Sequence, residues 1–182
     1  MKIFKLLCFT ILAVLSPYFV AAQAKPFKAT VAQTSALKKQ AQDCAATITQ
    51  QNYKQLAYYT YPPIIKAMGG ADKMVEKLTV TMAQMQTYGV VFKSATVGNI
   101  NDITKSGPDL YSVVQDILQM ANNGSTITAS SYVLAISHNN GIRWYFVDTA
   151  PLKNQNLKKM FPTYPPGLVI PQTNNPFMGA GN

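Results

Sequence analysis

A chain of 182 residues that is 48% hydrophobic and 13% charged can bury a core of ordinary size. Its net charge is +9, but Arg143 is the only arginine and the lysines are scattered, so the bidentate readout of a nucleic-acid binder is not expected. One histidine and two cysteines, with no C-x-x-C, HExxH or G-x-S-x-G, argue against a metal site, a cofactor and nucleophilic hydrolysis.

The chain opens with Lys2 and Lys5, the apolar run "LLCFTILAVL", and "SPYFVAAQA" with small residues at Ala22 and Ala24. That three-part layout predicts a secretory signal peptide over residues 1–24 and export to the periplasm or beyond. The run is short for a membrane anchor and Pro17 interrupts it. No later stretch is long and apolar enough to span a bilayer. Residues 25–171 are expected to form one domain, and 172–182 a flexible tail. Cys44 is then the only cysteine of the mature chain, which has no internal disulfide.

From about Thr34 to Gln51, Leu37, Ala41, Cys44 and Ile48 recur at helical spacing, with Cys44 on the buried stripe. Asn52 is placed to cap a second short helix. Tyr61-Pro62-Pro63 breaks it and starts a third, which Gly69 and Gly70 end. A longer helix follows, with Met74, Leu78, Met82 and Met85 on one face and Gly89 after it. After Gly89 the period falls to two. "VVFKSATVG", the first half of "DLYSVVQDILQM", "STITASSYVLAIS" and "IRWYFVD" read as strands, and "NINDITKSG" and "ANNGS" as turns. Asn156 to Phe161 is expected to add a helical turn. Helices followed by antiparallel strands predict an α+β domain, with the helices on one sheet face.

A turn through His138–Gly141 pairs odd residues of one strand with even residues of the next. One face then carries Val133, Ala135, Ser137, Ile142, Trp144, Phe146 and Asp148; the other carries Tyr132, Leu134, Ile136, His138, Arg143, Tyr145 and Val147. Both are apolar, so the face away from the helices should also be covered, by the tail or by a second subunit. His138 reads as an exposed turn residue. Asp148 continues the Trp144/Phe146 face, so it is either an acid at the rim of an aromatic pocket or a strand-ending aspartate bonded to backbone donors. Asp116 shares a face with Leu110, Val114 and Leu118 and is a second candidate.

The segments "NYKQLAYYTYPPIIKAMGGADKMVEKL", "GIRWYFVDT" and "LKKMFP...LVIPQ" resemble small secreted bacterial proteins of the nuclear-transport-factor-2-like superfamily, over roughly Ala36 to Pro171. The resemblance implies an α+β cone, helices packed on a curved antiparallel sheet, as in ketosteroid isomerases and polyketide cyclases. It also implies that acid–base groups would lie inside the cone. His138, at a turn, departs from the histidine–aspartate versions, leaving Asp148 with Tyr58, Tyr59 or Tyr61.

Two functions follow as expectations. The first is an exported, non-catalytic binding protein that holds a small hydrophobic ligand against Trp144, Phe146, Tyr58, Tyr61, Met82 and Met85, or meets a partner, including a second copy, on the outer sheet face. The second is an isomerase- or cyclase-type enzyme with Asp148 as base and Tyr59 as hydrogen-bond donor.

Overall fold

The computed structural model describes residues 27–122, 124–150 and 154–171. The expected signal peptide and the expected flexible tail lie outside the described residues.

Helix α1 (Val31–Thr49) starts a little before the sequence reading because Thr30 and Gln33 form a capping box. Gln33 N donates to Thr30 Oγ1 at 3.2 Å and Thr30 N donates to Gln33 Oε1 at 2.8 Å. Its Leu37 and Ala41 are buried as the stripe requires, joined by Ala45 and Thr47. Asn52 accepts from Gln55 N and caps α2 (Tyr53–Tyr59). Pro62 opens α3 (Pro62–Ala67), and Gly69 and Gly70 hold positive φ angles of 91° and 104° that end it. Helix α4 (Ala71–Thr87) follows, with Met74 its only buried residue.

The strands are β1 (Val90–Ile100), β2 (Thr104–Ser106), β3 (Asp109–Asn122), β4 (Ser125–Ser137) and β5 (Tyr145–Asp148). A last helix, α5, spans Asn154–Met160. The sheet is antiparallel and open, in the order β1-β3-β4-β5, with β2 also against β3. Strand β3 runs through Asn122 rather than ending halfway, because β1 and β4 flank its second half.

Hairpin parity holds: Val133 faces Asp148, Ala135 faces Phe146 and Ile136 faces Tyr145. Ile142 departs from it, 75% exposed in the loop, because β5 begins only at Tyr145. That loop is tied to α1. Gln33 Nε2 donates to Asn140 O and Oδ1, Gln40 Nε2 donates to Ile142 O, and Gln40 Oε1 accepts from Trp144 N.

Each face of the sheet carries its own core. Leu37 and Ala41 of α1 pack with Leu110, Val114, Ala135, Trp144 and Phe146 on the helix-covered face. Tyr111, Val113, Leu134, Ile136 and Val147 on the other face pack under Tyr61, Leu157 and Phe161, with Tyr164, Leu168 and Ile170 against them. The chain's own C-terminal segment thus supplies cover for the second apolar face. Among the described residues, no helix is long and apolar enough to cross a membrane.

Candidate functional site

The expected site residues divide among three places. Trp144 and Phe146 sit in the helix-side core, Trp144 fully buried with Nε1 donating to Gly141 O at 3.0 Å. Tyr59 joins them, its ring 6.2 Å from that of Phe146. Tyr61 instead lies in the opposite core, because the chain turns at Thr60–Tyr61, where Tyr61 N donates to Phe146 O. Tyr58 is on the surface, with Arg143 stacked 3.4 Å from its ring centroid. On α4, Met82 is half-buried and Met85 exposed.

The expected acid–base pair is not joined. Tyr59 OH has Asp43 as its partner, at 3.5 Å. Burial, followed by the charge of Asp43, holds the Tyr59 phenol above its ordinary range. Asp148 is exposed at the end of a four-residue strand and accepts from Ala150 N at 2.9 Å. That is the backbone-bonded, strand-ending role weighed for it in the sequence.

The carboxyl with the more unusual surroundings is Asp116. Strand pairing puts it between Val97 of β1 and Ser131 of β4, on the helix-covered face. It is half-buried, and no hydrogen bond reaches its carboxyl among the described residues. Desolvation, and then the charge of Asp148, push it up to about 6. The half-buried Cys44 of α1 faces it; burial and, more weakly, Asp116 raise that thiol to about 12, so it stays neutral. An acid with no hydrogen-bond partner among the described residues therefore lies by a neutral thiol, Val97 and Ser131, with a second acid nearby.

A second arrangement lies on the outer face. His138 Nδ1 is 2.6 Å from Asp109 Oδ1, and Asp109 Oδ2 accepts from Thr163 Oγ1 at 2.6 Å. Tyr111 OH is in turn 2.6 Å from Thr163 Oγ1. The imidazole lies beside the rings of Tyr61 and Tyr145. His138 is exposed at the turn, as the sequence indicates, but a carboxylate fixes its orientation. The sequence held the signal: counted back from the Asn122–Ser125 turn, the β3–β4 register sets Asp109 opposite His138. Asp109 and Thr163 were not among the residues it singled out.

Beside α5, Leu157, Tyr164, Leu168 and Ile170 line an open depression of about 280 Å³, with Lys158 at its edge. It shares no residue with either carboxylate site. No three metal-ligating side chains come together among the described residues. No protein-family model, curated protein or solved structure matches this chain.

Proposed function

We propose that this is an exported, non-catalytic binding protein that holds a small hydrophobic ligand on the helix-covered face, at Asp116. The observation that carries the reading is the half-buried Asp116 carboxyl with no hydrogen bond from the described residues. Its oxygens are not fully enclosed, so solvent reaches them and a ligand's donor has access. A ligand with an apolar body and one hydrogen-bond donor fits there. Cys44 of α1 and Val97 of β1, both partly buried and packed on the helix-side core, supply apolar surroundings. Export is supported by Lys2, Lys5, the apolar run and the small residues at 22 and 24.

The test is native mass spectrometry of the protein recovered after export, beside its Asp116→Ala variant. A reproducible small-molecule adduct on the native protein, lost in a variant that keeps its melting temperature, is the expected result. A clean protein mass for both would overturn the ligand.

The raised Asp116 carboxyl beside Asp148 favours one second reading, an isomerase- or cyclase-type enzyme. Asp116 would then be the base, with burial and, after it, the charge of Asp148 holding its pKa up. That version requires a rate that rises with pH through about 6 and disappears in Asp116→Asn.

A further inference from the structure

The two long edges of the sheet are treated differently. Strand β1 is interrupted by register shifts between Phe92 and Ser94 and between Val97 and Ile100, carries Lys93, and has α1 and α4 packed against it. Bulges and an edge lysine are the usual means by which a sheet avoids pairing with another chain.

Strand β4 has neither device where its edge is free. Strand β5 pairs with it over Val133–Ile136, and Thr149 N reaches Tyr132 O at 3.3 Å. From Ser125 to Ser131, no strand lies on the side away from β3 among the described residues. That segment, Ser-Thr-Ile-Thr-Ala-Ser-Ser, has no charge and no proline, and its pairing with β3 shows no register shift. Because the Tyr132 carbonyl points toward β5 and backbone direction repeats every second residue, Thr126, Thr128 and Ser130 aim their N–H and C=O groups outward.

We propose that the free edge of β4 pairs with β4 of a second copy of this chain, antiparallel about a two-fold axis at Thr128. Thr126 then lies opposite the partner's Ser130, and Thr128 opposite the partner's Thr128. Self-pairing of this kind closes on itself, so it yields a dimer and not a fibre. The cross-strand Thr–Thr and Thr–Ser pairs are favourable ones. In a chain with sixteen basic and seven acidic residues, this uncharged segment is also where two copies approach with little repulsion. An edge contact of this size is smaller than a standard interface, so the dimer is a weak one, with a dissociation constant of roughly 1–100 µM.

Sedimentation equilibrium of the full chain up to about 1 mM, roughly ten times the weakest such constant, tests this. Thr128→Pro removes an outward N–H and leaves the ladder to β3 intact, as proline is tolerated on an edge. The expected result is a concentration-dependent doubling of mass in the native chain, weakened at least tenfold in Thr128→Pro at an unchanged melting temperature. Thr128→Lys gives the same reading should the proline variant fail to fold. Amide exchange at Thr126, Thr128 and Ser130 should slow as concentration rises. A native chain that stays monomeric, association beyond the dimer, or a dimer that persists in a folded Thr128 variant would each overturn the proposal.

Discussion

Asp109 and His138, across from each other at the open end of the long β3–β4 hairpin, are joined at 2.6 Å, and the remaining Asp109 oxygen is taken by Thr163. The carboxylate is 11% exposed and bonded at both oxygens, so it ties β3, the end of β4 and the C-terminal segment together. Replacing it removes the acceptor that His138 and Thr163 share, and leaves the Thr163 hydroxyl with Tyr111 alone. Asp109→Ala should cost about 2–4 kcal/mol in urea denaturation, and Thr163→Val about 1 kcal/mol. The sole tryptophan, buried Trp144, supplies the fluorescence signal. A loss under about 0.5 kcal/mol for Asp109→Ala would mean that the relay does not hold the segment.

Asp116 sets a pH dependence of the opposite kind to that of an ion-paired acid. Its folded value, about 6, lies above the ordinary 3.8, so the folded protein keeps this proton longer than the unfolded chain. The associated stability is complete below pH 3.8 and is lost as pH rises through about 6. Asp116→Asn should therefore be more stable than the native protein by about 1–3 kcal/mol at pH 8, with the gap largely gone by pH 4. Equal gaps at both pH values would show that the carboxyl is ordinarily solvated.

Gly141 has a φ of 83°, and a Cβ there would lie 2.7 Å from Gln33 Cγ. Strain and a clash with a side chain that bonds to Asn140 therefore coincide. Gly141→Ala should cost about 2–4 kcal/mol. The equivalent change at Gly124, whose φ is 85° but which has open space around it, should cost only about 1 kcal/mol. Thermal melts of the two variants give the comparison.

Cys44 should be nearly inert while the protein is folded. Burial raises its thiol to about 12, which leaves little thiolate at pH 8. In a Cys8→Ser background, a disulfide reagent should label Cys44 at least about a hundredfold faster in urea than in buffer. Comparable rates would place the thiol at the surface.

Much of the fold was legible because its signals are local. The change of period after Gly89 separates helices from strands, Asn52 and the Gly69-Gly70 pair mark helix ends, and hairpin parity assigns Trp144 and Tyr145 to opposite faces. The site was less legible because it depends on where strands stop. Asp148 has suitable parity, but β5 ends there, and the residue turns to Ala150 N instead of the core. Asp116, mid-strand on the same face, takes the desolvated position. Tyr58, Tyr59 and Tyr61 looked like one cluster in sequence. The chain reversal after α2 sends them to the surface, the helix-side core and the outer core.

Sandwiching the sheet between α1 and the segment after β5 also decides when it can fold. Leu37 and Ala41 share their core with Trp144 and Phe146, and the outer core waits for Leu157 and Phe161. A ribosome that has released α1 through α4 has released no strand for them to cover. Neither layer closes until β5 and the segment through Phe161 have emerged, so the contacts that seat α1 on Trp144 and Phe146 must form across long loops. Helices α1 to α4 therefore emerge with no sheet to pack on, and both layers are completed only after the last strand appears.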